Sequence, residues 1–140
     1  MIAAAVFRGL RKGLHTTLTL AKAVVPAYVA VSLLARTPVL DWLGGLATPW
    51  LSVLGLPGEA ALPLLLGMFV SLYSGIGALA SLELGAREAT IVAVVLGVAH
   101  SLVIETAVTR QIGVASRFPL TLRIGLGLAM GALLHRVWGG

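Results

Sequence analysis

Residues Ala60–Leu82 read AALPLLLGMFVSLYSGIGALASL. This run of 23 residues carries no charge, and it is the only uncharged run in the chain long enough to cross a bilayer alone. A spanning helix needs about 20 mostly apolar residues. The middle of the block is poor material for one. Ser71-Leu72-Tyr73-Ser74-Gly75-Ile76-Gly77 gathers two serines, a phenol and two glycines. At ~1.5 Å per residue, each arm beside this centre is about half a membrane long. Two half-length arms joined by a polar, glycine-rich tip describe a re-entrant helical hairpin. Irregular backbone at that depth persists only where protein or a water-filled cavity covers it. The same residues also fit one straight helix, with Gly67, Ser71 and Gly75 forming a small-residue packing face at four-residue steps. Spacing alone leaves both readings open and leans to the straight helix.

The rest of the chain sets the context. It has 140 residues, 59% hydrophobic and 11% charged, with a mean hydropathy of +1.03. Soluble domains carry about 25% charged residues. The composition excludes a disordered chain, a coiled coil, a collagen-like repeat and an ordinary soluble enzyme, and points to one membrane domain. There is no cysteine, which excludes disulfides, thiolate metal sites and cysteine nucleophiles. The net charge is +5. Its cations separate apolar blocks, so they read as orientation charges, with no nucleic-acid partner expected.

Outward from the central block, the segments follow from the charges. Residues 1–13 form a basic N-terminal segment. Ile2, Val6, Leu10 and Leu14 recur every four residues, with Arg8, Arg11 and Lys12 on other faces. This fits an amphipathic helix on the membrane surface and equally a plain extension of the first span. Residues 14–138 read as a single transmembrane domain. Thr16–Ala35 is the first span, with Pro26 inside it and Lys22 able to snorkel. Val39–Leu54 contains Asp41, Gly44-Gly45, Pro49, Trp42 and Trp50, and reads as a helix lying in the interface. Leu56-Pro57-Gly58-Glu59 is a turn. Glu83–Glu88 is a loop, Ala89–Thr109 a span, Arg110–Phe118 a polar loop. Pro119 to about Val137 is the last span, with Gly127 and Gly131 in a G-x-x-x-G step. The fold expected is therefore all-helical: three spans, an interfacial helix and the hairpin, or four straight spans.

Familiar enzyme motifs are missing: no phosphate-binding loop, no dinucleotide fingerprint, no H-E-x-x-H. The chain is read as a non-enzyme without a resident metal or cofactor, although a coupling cation such as sodium or a proton is open to it. His15 and His135 flank spans and read as ordinary flanking residues. His100, Ser101 and Glu105 differ, because they interrupt an apolar span. An ionised group at a helix centre costs about 2.5–3.5 kcal/mol on insertion scales. On an ideal helix His100 and Glu105 sit about 140° apart, so they share one site only if the helix breaks between them. Glu105 could instead be neutralised by Arg110 or by Arg123 on the next span.

Three stretches carry a family resemblance: Val39-Leu40-Asp41-Trp42-Leu43, Leu54-Gly55-Leu56-Pro57-Gly58-Glu59-Ala60-Ala61 and Ala99-His100-Ser101-Leu102-Val103-Ile104-Glu105-Thr106. They resemble the Gate, or nucleoside-recognition, domain, over about Gly13 to Leu134. Relatives include concentrative nucleoside transporters, the membrane part of FeoB-type iron transporters and spore-maturation membrane proteins. The resemblance implies a re-entrant hairpin, a broken helix near His100, and a half-transporter completed by an antiparallel second copy or an inverted paralogue. It implies a small polar solute, nucleoside-like or ionic, held by Ser71, Tyr73, Ser74, Gly75, His100, Ser101 and Glu105. The spore-maturation relatives imply the alternative of a non-transporting scaffold or assembly factor. With a hairpin the chain crosses three times. Arg8, Arg11, Lys12, Lys22, Arg110, Arg117 and Arg123 then face Arg36, Arg87 and Arg136 across the bilayer. That bias favours a cytoplasmic N-terminus in a prokaryotic inner membrane.

Overall fold

The computed structural model describes residues 2–111 and 117–139. Among these residues every regular element is helical. Helix α1 (Ile2–Leu34) is continuous through its basic first turns and through Pro26. At ~1.5 Å per residue it is about 50 Å long, well beyond the ~30 Å hydrocarbon core. Pro38 opens α2 (Pro38–Leu51), where a missing N–H costs nothing. A 3-10 turn, Ser52–Leu54, follows. Gly55 then takes a left-handed φ of 63° and turns the chain between the buried Leu54 and Leu56.

The segment Gly58–Val70 leaves this turn at 92° to Pro38–Leu54. A helix lying across the end of the bundle therefore precedes one that enters it. Gly44 and Gly58 let the two backbones cross in contact. The entering arm comprises α3 (Ala61–Leu65) and a π-helical stretch, Leu66–Val70. The chain breaks at Ser71 and returns as α4 (Leu72–Ala80). A Cβ on Gly75 would lie 2.7 Å from the Gly67 Cα and 2.9 Å from the Pro63 carbonyl oxygen. Residues eight and twelve positions apart touch this way only if the chain has folded back on itself. In a straight helix they would be separated by about 12 and 18 Å. Gly67 and Gly75 thus face each other across a hairpin rather than lining one face of a single span.

Among the described residues three helical stretches are long and apolar enough to cross a membrane, Ala5–Leu34, Ala86–Thr109 and Arg117–Trp138, and the bent pair Pro38–Leu54 with Gly58–Val70 is so only when taken together. The middle one is two helices, α5 (Ala86–Ala99) and α6 (Leu102–Gln111). Arg87 and Glu88 belong to the first turn of α5, not to the preceding loop. The last span is α7 (Arg117–Trp138). Helix α5 is the centre of the molecule: Ile91, Val92, Val95, Leu96 and Ala99 are fully buried. On one side Gly67 of the hairpin rests on the Leu96 side chain; on another, Gly127 and Gly131 bring α7 onto Val95 and Ile91. Where lipid is as apolar as leucine, such close backbone approach is what holds helices together. Gly125 of α7 meets nothing within 4 Å and takes no part. The outer apolar residues, Trp50, Phe69, Phe118 and Leu133 among them, are exposed and form the lipid-facing surface.

Candidate functional site

The backbone is interrupted twice, and the interruptions touch. The first is the hairpin tip. The Ser71 N–H donates to the Leu66 carbonyl at 2.9 Å, closing the π turn. Ser71 itself is extended, with φ −163° and ψ 151°, and caps α4. Its Oγ accepts from the Ser74 N–H at 3.0 Å and lies 2.8 Å from the Ser74 hydroxyl. Serine suits this place because its short hydroxyl satisfies an orphan amide at a helix start.

The second interruption lies between α5 and α6. His100 is extended, and Ser101 has a φ of 53°. A left-handed non-glycine residue costs about 1–3 kcal/mol and persists only where its surroundings enforce it. Here the enforcing contact is visible. The Ser101 N–H donates to the Gly67 carbonyl of the hairpin at 3.1 Å. The broken span and the π turn thus share a main-chain hydrogen bond.

Carbonyls at the end of α5 are satisfied by side chains. His100 Nδ1 lies 3.0 Å from the Leu96 carbonyl oxygen. Since a carbonyl only accepts, Nδ1 carries the proton, which leaves Nε2 of a neutral ring as an acceptor. The Arg123 Nε donates to the Val98 carbonyl at 2.6 Å. The same guanidinium donates from Nη1 to Glu105 Oε2. Glu105 is therefore paired with the next span. The Arg110 side chain lies outside the described residues.

The sequence-predicted residues divide into three groups. His100 and Ser101 form the break, with Glu105 one turn into α6. Ser71 and Ser74 form the tip, Ser74 being buried at 7% exposure. Gly75 lies one turn below the tip, where it closes the two arms. Tyr73 is 43% exposed on the outside of the hairpin. The cavity that Glu105 lines, with Leu102, Thr106, Thr109, Pro119 and Leu120, measures about 10 Å³. That is room for about one water. Tyr73, Ser74 and His100 are not among its walls.

Two features were not foreseen. One is the Gly67 carbonyl, since the sequence presents Gly67 only as part of a small-residue packing face. The other is a cluster at the opposite end of the bundle. There Arg87 Nη2 meets His135 Nδ1 and the His135 carbonyl, and the His135 ring fills the space where a Cβ on Gly55 would go. His135 is a packing residue that ties α5, α7 and the Gly55 turn together.

The sequence profile of the Gate family, described as nucleoside recognition, matches residues 17–132. The chain belongs to the Gate family. The matched region holds the hairpin and both interruptions. The membrane protein YvoD of Bacillus subtilis (strain 168) is 42% identical over 132 residues, covering 94% of this chain and 42% of YvoD. The inner membrane protein YjiG of Escherichia coli (strain K12) is 40% identical over 75 residues, covering 53% of this chain and 48% of YjiG. The aligned Gate region spans less than half the length of each of these relatives. No solved structure matches the chain significantly. With its apolar spans and membrane-protein relatives, this Gate unit is a membrane protein in contact with the lipid bilayer, of a family that is not an enzyme family.

Proposed function

We propose that this Gate unit binds a small polar solute, nucleoside-like or ionic, where the hairpin tip meets the α5–α6 break, and serves as half of a transporter. The observation that carries this reading is the hydrogen bond from Ser101 to Gly67. It joins the left-handed break at Ser101 to the π-helical arm of the hairpin, where a merely structural bundle would run continuous helix. Helices α4 and α6 both begin at this junction. Their N-terminal amides and dipoles favour anionic or hydroxyl-rich groups. His100 Nε2 and the remaining lone pairs of Glu105 are acceptors for ribose-like hydroxyls or for a cation such as sodium or a proton.

A single unit encloses no solute at Glu105, whose cavity takes about one water. A second unit must supply the opposite wall. The pairing that fits a chain of three crossings is an antiparallel homodimer or an inverted paralogue, with the N-terminus cytoplasmic in a prokaryotic inner membrane. YvoD is more than twice as long as the stretch it shares with this chain, which leaves length for a second unit in one polypeptide. Two observations favour the scaffold reading: Arg123 already satisfies Glu105, so no ligand is required to neutralise it, and the small cavity at Glu105 is not lined by Tyr73, Ser74 or His100.

A thermal-shift screen of purified protein against nucleosides, bases, amino acids and sodium separates the two. A ligand at 100 times its Kd stabilises the native state by about 2.7 kcal/mol. The transporter reading expects at least one such response, and expects Glu105→Gln to fold normally and lose it. An unchanged response in Glu105→Gln removes Glu105 from the site. A screen without any response supports the scaffold.

A further inference from the structure

We propose that the outer face of α1 is a binding stripe for the headgroups of anionic phospholipids. At ~100° per residue, Arg8, Arg11, Lys12, His15, Thr19 and Lys22 fall within about 100° of arc, and all six are exposed. The stripe looks away from the protein. Helix α1 packs on α4 through Val24, whose backbone meets Gly77, and Val31 on that side is 1% exposed. These two lie roughly 160° round the helix from the cations. No acidic side chain pairs with Arg8, Arg11 or Lys12 among the described residues.

The depth of the stripe identifies the occupant. Twenty residues counted back from Leu34 place the hydrocarbon boundary at about His15. Arg8, Arg11 and Lys12 then occupy the next ~10 Å, the layer of phosphate headgroups. Lys22, about 10 Å inside, extends its stem toward the same layer. Arg8, Arg11, Lys12, His15 and Thr16 line one open groove of about 550 Å³. Beside the cations runs an exposed apolar strip, Phe7, Leu14 and Leu18. A soluble anion uses only the cations. A phospholipid uses both strips, phosphate on the arginines and acyl chain along Leu14 and Leu18. Each cation near an anionic leaflet is worth about fivefold in affinity.

The test uses the purified full chain in micelles containing equimolar phosphatidylglycerol and phosphatidylcholine, with bound lipid read by native mass spectrometry. The native protein is expected to enrich phosphatidylglycerol at least tenfold. The triple variant R8Q/R11Q/K12Q is expected to bring the ratio near one. Its sites are exposed and distant from the α1–α4 packing, and a retained circular-dichroism melt confirms folding. The control R36Q/R136Q, which removes two exposed cations at the other end, should keep the enrichment. A native ratio near one overturns the proposal, as does enrichment that survives the triple variant or falls equally in the control. A native chain without enrichment that dimerises, and whose dimer the triple variant dissociates, places a second copy on the stripe instead.

Discussion

Gly75→Val is expected to destabilise the protein more than any other single substitution in the hairpin. Even a Cβ at this position would press on the Gly67 Cα and the Pro63 carbonyl. Both are backbone, so neither can rotate aside. Overpacking of this kind costs about 3 kcal/mol, and valine adds two methyl groups beyond the clashing carbon. The arms would be forced apart, and the Ser101–Gly67 hydrogen bond would go with them. Gly97→Ala and Gly125→Ala are the controls, since neither position has a neighbour within 4 Å. In a helix interior each should be neutral or gain up to about 1 kcal/mol from helix propensity. Unfolding in detergent, followed through the tryptophans, gives the comparison. Equal stability of Gly75→Val and Gly97→Ala would mean that the arms do not pack as described.

Arg123→Leu is expected to have the second largest effect. It removes the partner of Glu105 and the donor to the Val98 carbonyl in one step. Breaking a fully buried pair costs about 3–5 kcal/mol; the side chains here retain 27% and 37% exposure, so the expected loss falls below that range. Glu105→Gln should cost much less. Its amide oxygen still accepts from Arg123, and Arg123 keeps the Val98 carbonyl. The double variant Glu105→Leu with Arg123→Leu should recover most of the loss, because replacing both members of an ion pair by apolar residues leaves no charge unpaired. If Arg123→Leu is no less stable than Glu105→Gln, the ion pair does not hold α6 to α7.

Much of this architecture could be read from residue types alone. Charges and prolines mark the ends of α1, α2 and α7, and Trp42 and Trp50 mark the helix that lies across the bundle's end. Hairpin and straight helix could not be separated from spacing. Gly67, Ser71 and Gly75 satisfy both, and the deciding contact is between backbones twelve or fewer residues apart. The break at His100–Ser101 is equally silent locally. Nothing in the apolar run Ala99–Thr106 forbids helix; the Gly67 carbonyl on another element draws the Ser101 amide out of register. Only the family resemblance implied both features. Arg123 was readable only as one of two partners for Glu105. The role of His135 was not readable, since its neighbours Gly55 and Arg87 are 80 and 48 positions away.

If Ala60–Leu82 enters and leaves on one side of the membrane, so that its tip meets the broken span within it, the residues flanking it face one compartment. The chain contains no cysteine, so Arg36→Cys, before the hairpin, and Glu83→Cys, after it, are clean reporters at exposed positions. Each single-cysteine protein is treated in sealed, oriented vesicles with a membrane-impermeant maleimide, first outside and then after permeabilisation. Labelling of both positions from the same side is the predicted result. Labelling from opposite sides would make Ala60–Leu82 a straight fourth span and rule out the re-entrant hairpin.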